Sequence, residues 1–231
     1  GSAMRAVLLR CGKAGYGVRI AVLNLALAAS CIGSAAPAEP FTVAALGDSL
    51  TQGFGLPADQ GFVPQLQAWL QAEGTDAVVV NAGVSGDTTA GGLARIDWTL
   101  SEDVDALIVA LGGNDLLRGL PPEEARANLT AIMEKASAKR LPVLLIGIAA
   151  PGNYGPDYKA AFDAIFPDLA AEYGAILVTD FLAPIREAKA NGSAPDDLMQ
   201  ADGLHPSSAG VALMVEAVGP KVRELVGKAG G

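Results

Sequence analysis

The sequence predicts an α/β fold, a three-layer α/β/α sandwich built on a five-stranded parallel sheet. Three observations predict it. Five short apolar runs are continuous rather than alternating, the pattern of strands buried on both faces. The segments between them place apolar residues at helical spacing. The strand–helix alternation also repeats along the chain, which implies parallel strands joined by right-handed crossovers.

The first run is Thr42–Leu46. A helix follows, with Phe62, Leu66, Trp69 and Leu70 on one stripe. The second run, Ala77–Val80, leads into a weaker helix from Thr89 to Leu100. The third, Ala106–Leu111, precedes a helix with Ala125, Leu129, Ile132, Met133 and Ala136 on its apolar face. Pro121-Pro122-Glu123-Glu124 opens that helix, because proline and acidic residues suit a helix start. After the fourth run, Val143–Ile148, a stripe of Phe162, Ile165, Phe166, Leu169 and Tyr173 predicts a helix kinked or broken at Pro167. The fifth run is Ala175–Val178. A final helix should run from about Ser207 into Val226, with Val211, Met214, Val215, Val218 and Val222 inward and Gly219-Pro220 bending or interrupting it. No repeat, low-complexity tract or second domain is visible.

Composition narrows the chemistry. The 231 residues carry a formal charge of −9, one histidine and two cysteines. One histidine excludes a multi-histidine metal centre, and two cysteines exclude a four-cysteine site. Gly1-Ser2-Ala3 reads as a cloning scar, and residues 4–38 read as a secretory leader. Arg5, Arg10, Lys13 and Arg19 form a basic start; Ile20 to Ile32 is apolar apart from Asn24 and Ser30; Ala36-Pro37-Ala38 is a small-x-small cleavage pattern. An uncleaved anchor and a lipoprotein site at Cys31 are rival readings, weakened by Gly33, Ser34 and Pro37 and by Ala28 in place of a leucine.

The leader holds four of the 16 basic residues and none of the 25 acidic ones, so residues 39–231 carry 12 basic residues against 25 acidic, a formal −13. Both cysteines, Cys11 and Cys31, fall in the leader. A cysteine-free chain of that kind suits an oxidising periplasm or exterior without using disulfides, and its length suits one domain. The acidity argues against nucleic acid as a partner, and no stable membrane span is expected after the leader. Oligomeric state is not legible.

In an open parallel sheet, ligands bind outside the carboxyl ends of the strands. Gly47-Asp48-Ser49-Leu50 follows the first run, Asn81-Ala82-Gly83-Val84-Ser85-Gly86-Asp87 follows the second, and Gly112-Gly113-Asn114-Asp115 follows the third. Asp202-Gly203-Leu204-His205-Pro206 lies before the last helix. The set suggests acyl transfer. A serine hydroxyl needs an adjacent base, and His205 is the one imidazole available. That base needs a carboxylate to fix its tautomer, and Asp202 lies three residues before it. The oxyanion needs preorganised donors, for which the N–H groups of Ser49 and Gly83 and the Asn114 amide are candidates.

Each residue also has a plainer reading. Ser49 could be an N-cap, Asp202-Gly203 an ordinary turn, Gly112-Gly113 a loop needing positive φ, and His205 a packed residue. Glu123-Glu124, Asp103/Asp105 and Asp196-Asp197 read as solvated acids. Joint placement at successive strand ends outweighs those readings for the site residues. There is no Gly-x-Ser-x-Gly elbow, and neither a phosphate-binding loop nor Gly-x-Gly-x-x-Gly follows the first run.

These blocks, in this order, resemble the SGNH hydrolase superfamily, the GDSL esterases and lipases. The four residues in its name are matched here by Ser49, Gly83, Asn114 and His205, and the Asp-x-x-His block by Asp202 to His205. The resemblance spans Phe41 to about Val226. It is nearest to bacterial arylesterases and the thioesterase I/lysophospholipase L1 group, through Val84-Ser85-Gly86-Asp87-Thr88-Thr89, Gly92-Leu93-Ala94-Arg95 and Pro151-Gly152-Asn153-Tyr154-Gly155.

It implies a flavodoxin-like SGNH hydrolase fold and a secreted or periplasmic serine esterase. The substrate class is small-molecule or lipid esters, with neither metal nor cofactor. The catalytic residues are then Ser49, Asp202 and His205, and the oxyanion hole Ser49, Gly83 and Asn114; Asp48 is read as structuring its loop. A carbohydrate acetyl esterase or acyltransferase with the same triad is an alternative, as is a non-catalytic acyl- or carbohydrate-binding module. Acyl length, and whether Tyr154 meets substrate or only packs, stay open.

Overall fold

A computed structural model describes residues 40–100, 103–192 and 197–229. The expected scar and leader, and Asp196, lie outside the described residues. Strand β1 spans Phe41–Gly47 and is followed by the short helix α1, Ser49–Gln52, and by α2, Phe62–Ala72. Strand β2 spans Ala77–Gly83, then α3 Thr89–Ala94 and α4 Ile96–Thr99. Strand β3 is Ala106–Ala110, with α5 Gly113–Leu117 and α6 Pro122–Ala138 after it. Strand β4 is Val143–Ile146; a 3-10 turn at Gly152–Tyr154, α7 Pro156–Asp163 and α8 Ile165–Tyr173 follow. Strand β5 is Ile176–Val178, and α9 Ala183–Ala190 and α10 Ser208–Ala229 close the chain.

All strand pairs are parallel, and the order is β2-β1-β3-β4-β5. This is the flavodoxin-like order, whose topological switch point lies between β1 and β3. Alternate residues of each central strand feed opposite layers. Val43, Ala45, Ile108, Leu144 and Ile146 pack with Phe62 and Leu66 of α2 and with Met214, Val218 and Val222 of α10. Ala44, Leu46, Leu107, Val109 and Leu145 pack with Leu129 and Ile132 of α6, Phe162 of α7 and Phe166 of α8. The buried stretches of the interior strands are therefore continuously apolar, as their runs require.

β2 departs from the expectation of burial on both faces. It is an edge strand, and Val78 and Val80 are exposed on one side. Its open edge is partly occupied by Gln67, whose amide donates to Ala77 O (2.9 Å) and accepts from Val79 N–H (2.8 Å).

Helix boundaries also differ from the periodicity. The break expected at Pro167 falls at Ala164, between α7 and α8. A proline ring clashes with the carbonyl four residues earlier, here Asp163, and this helix ends before the proline; Pro167 then lies in the first turn of the next helix, where no N–H is needed. The helix expected over Thr89–Leu100 divides at Arg95. In α10, Pro220 interrupts nothing, and the helix continues to Ala229. Pro220 and Glu216, whose carbonyl loses its donor, both face solvent, where water can satisfy that carbonyl. Asp105 is more than a solvated acid: its carboxylate accepts from Thr42 N–H at 2.8 Å.

Candidate active site

Register brings the functional blocks together. Gly47 pairs with Gly83 on one side and with Ala110 on the other, so β1, β2 and β3 end level with one another. Ser49 follows β1 and Asn114 follows β3, on the two sides of the switch point. Asp48 caps α1 by accepting from Leu50 N–H at 3.0 Å. Ser49 is the first residue of that helix, where an N–H has no intrahelical acceptor.

The Asp202–His205 segment is tied to the Ser49 loop from the other side. The Gln200 amide donates to Phe54 O (2.8 Å) and to Pro206 O (2.9 Å), and Gln200 N–H donates to His205 O (2.8 Å). The Phe54 ring lies against the imidazole, centroids 4.7 Å apart. His205 Nε2 is 2.9 Å from Ser49 Oγ, and Nδ1 is 2.6 Å from Asp202 Oδ2. Asp202 Oδ1 accepts from the N–H groups of Leu204 (2.9 Å) and His205 (3.0 Å). The imidazole bond, followed by these two N–H donors, lowers the Asp202 carboxyl to about 2. An ionised carboxylate only accepts, so in the neutral ring Nδ1 carries the hydrogen and Nε2 faces the serine as acceptor.

Asn114, in the first turn of α5, donates from Nδ2 to Asp87 O at 2.9 Å and lies 3.4 Å from Asp48 Oδ2. Beside it, Asp115 is buried and accepts from Thr89 N–H (2.9 Å) and Thr89 Oγ–H (2.7 Å), joining α5 to α3. Asp48 is 4 % exposed, and burial raises its carboxyl to about 6 despite the Leu50 N–H and the neighbouring His205.

Gly83 does not join the others in the same way. Its N–H donates to Asn81 Oδ1 at 2.9 Å, and it borders the α1 backbone so closely that a Cβ would collide with Gln52. Gly86, which sequence reasoning did not assign, immediately precedes Asp87, the residue that receives the Asn114 amide. Arg118 donates to Gly86 O at 2.8 Å, and the next carbonyl, that of Asp87, receives the Asn114 amide. Its φ of 85° lies in the left-handed region that favours glycine.

A cleft of about 430 Å³ opens from Ser49, Asn114 and His205. Leu50, Leu116, Ile148, Leu182, Leu204 and Tyr154 give it an apolar wall, with Asp48, Arg186 and Asn153 as its additional polar members. Tyr154 therefore faces the cleft, while its ring also packs on Tyr158 with centroids 4.9 Å apart. Among the described residues, no group of three or more His, Cys, Asp or Glu side chains is arranged to hold a metal ion.

A nucleophile, a base and an orienting carboxylate beside an amide donor and an apolar cleft can carry out acyl transfer. The chain matches the profile of the GDSL-like lipase/acylhydrolase family over residues 45–213. It is 42% identical over 186 residues to the Esterase TesA of Pseudomonas aeruginosa, covering 80% of this chain and 89% of that one. It is 33% identical over 186 residues to the thioesterase 1/protease 1/lysophospholipase L1 of Escherichia coli K12, covering 80% and 85%. Among solved structures, the psychrotrophic esterase EstA from Pseudoalteromonas sp., inhibited by monoethylphosphonate, superposes with a TM-score of 0.72 at 33% identity, covering 80% of this chain and 98% of that one.

Proposed function

The chain belongs to the GDSL-like lipase/acylhydrolase family and is a carboxylic ester hydrolase, and from that premise we propose that it works through an acyl-enzyme on Ser49. The observation that carries this reading is the continuous line from Ser49 Oγ to His205 Nε2 and from His205 Nδ1 to Asp202.

Ser49 Oγ attacks the acyl carbonyl as its proton passes to His205 Nε2, and the carbonyl oxygen becomes an oxyanion. Asp202 stabilises the imidazolium that forms. The oxyanion is received by Ser49 N–H and Asn114 Nδ2; the amide is held through its bond to Asp87 O and turns its other hydrogen from the long 3.4 Å contact with Asp48 to the oxyanion. The Gly86 N–H is the third donor in this reading. Gly83, to which the sequence resemblance gave that role, would first have to release Asn81. Collapse of the intermediate breaks the bond to the alcohol or thiol, which leaves with the proton from His205. Water then gives a proton to Nε2 and attacks the acyl group, and Ser49 recovers its proton as the acid departs.

The acyl chain lies in the apolar cleft, whose volume is within the range of about 300–1,000 Å³ usual for small-molecule sites. Aryl esters, short to medium acyl esters, thioesters and lysophospholipids are the substrates this supports, in keeping with the names of the relatives. The basic, apolar and small-residue character of residues 4–38 supports export to the periplasm or exterior. The test is a panel of p-nitrophenyl esters and acyl-CoAs of graded length, run with the natural sequence and with Ser49→Ala. The variant should lose at least about 10³-fold in kcat on every substrate cleaved, with its thermal transition retained. Undiminished turnover by a folded Ser49→Ala overturns the reading, as does the absence of cleavage across the panel.

A further inference from the structure

Arg95 sits where helices α3 and α4 separate, and its side chain turns inward from that break. It makes three short bonds: Nε to Asp87 Oδ2 at 2.7 Å, one terminal nitrogen to Ala82 O at 2.7 Å, and the other to Gly47 O at 2.9 Å. Its side chain and that of Asp87 are 24% and 19% exposed, so both are largely withdrawn from water. These three acceptors have one thing in common. Gly47 ends β1 two residues before Ser49. Ala82 lies on β2, at the start of the segment that runs through Gly83 to Gly86. Asp87 ends that segment, and its backbone carbonyl receives the Asn114 amide.

We propose that Arg95 is a positioning residue for the oxyanion hole, its guanidinium fixing the Ser49 loop, the 83–87 segment and the Asn114 amide relative to one another. The proposal rests on the oxyanion assignment above and adds the group that holds it. Guanidinium suits this task because its donors diverge from one rigid plane, whereas a lysine ammonium is a point charge on a flexible stem. Without the guanidinium, two strand-end carbonyls and the Asp87 carboxylate lose their common partner. The donors would then need to be gathered during each turnover, which raises the barrier to the chemical step and leaves substrate binding in the cleft unaltered.

The experiment is a double-mutant cycle between Arg95 and Asn114, read in kcat and KM on a p-nitrophenyl ester, with thermal melts of every variant. Asn114→Ala alone should lower kcat by about 10²–10³-fold; if it does not, the oxyanion assignment fails and this proposal with it. Arg95→Met should lower kcat by about 10–100-fold with KM within about twofold, and Arg95→Lys should fall between it and the natural residue. In the Asn114→Ala background the same changes should cost clearly less than in the natural one, because one of the donors that Arg95 positions is already gone. Equal losses in both backgrounds, an effect confined to KM, or an unaltered kcat overturn the proposal while leaving the Ser49 reading intact. Should Arg95→Met fail to fold, the cycle is decided on Arg95→Lys.

Discussion

Asp48 and Asp202 border the serine and the histidine, and their surroundings drive them apart. Burial lifts the Asp48 carboxyl to about 6, while the His205 ring and two N–H groups hold that of Asp202 near 2. Asp202 is thus the ionised partner of the imidazole throughout the neutral range, and Asp202→Asn should lower kcat by about 10²–10⁴-fold through loss of the tautomer it fixes. A steady-state comparison at pH 7.5 checks it.

Asp48 has a consequence for stability. Its folded pKa lies above the ordinary 3.8, so its stabilising contribution is fully present below about pH 3.8 and is lost as pH rises through about 6. Asp48→Asn keeps an acceptor for Leu50 N–H and removes that loss. Relative to the natural protein it should gain up to about 3 kcal/mol between pH 4 and pH 7.5, as measured by urea unfolding at both values. The same difference at both pH values would contradict the burial argument. At this scale, Ser49, Asn114, Asp202 and His205 were legible because each sits in a short block at a strand end. The engagement of Gly83 N–H by Asn81 and the three bonds of Arg95 were not, because a linear sequence does not say which acceptor a donor finds.

Continuous apolar runs located all five strands, and four apolar stripes located the long helices. Helices α1, α5 and α9 carried no signal, having 4, 5 and 8 residues, at most about two turns of periodicity. The exposed face of β2 was hidden for a different reason: its valines match those of a central strand, and only strand order makes it an edge. The two prolines show how local chemistry and packing divide control of a helix. Pro167 moves a boundary because its ring collides with the carbonyl of Asp163. Pro220 moves none, because buried residues on either side of it, Met214, Val218, Val222 and Leu225, hold α10 on the sheet. Pro220→Ala restores a hydrogen bond to Glu216 O and should stabilise the protein by about 1–3 kcal/mol with esterase activity unaltered. Paired thermal melts and initial rates check this, and destabilisation would show that the proline sets the path of the helix.

Across the whole molecule, the parallel sheet is what makes a site from distant blocks. Ser49 and His205 are 156 residues apart in sequence and in hydrogen-bond contact in space, because β1, β3 and the segment before α10 all deliver their loops to one edge. The apolar cleft opens at the same edge, so in the proposed reaction burial of an acyl chain and attack on its carbonyl share one place. The order of the blocks made this arrangement readable before any geometry was known. The depth of the cleft and the exposed flank beside β2 depend on how helices settle on the sheet, which strand and helix periodicity alone does not specify.

Ser49 as nucleophile with His205 as its base predicts a specific covalent adduct. The decisive measurement is to treat the protein with a fluorophosphonate and map the adduct by intact-mass and peptide mass spectrometry. One adduct per chain on the peptide containing Ser49, absent from Ser49→Ala and formed far more slowly by His205→Ala, is the predicted result. A protein that cleaves esters while Ser49 stays unlabelled, or that labels at the same rate without His205, contradicts it.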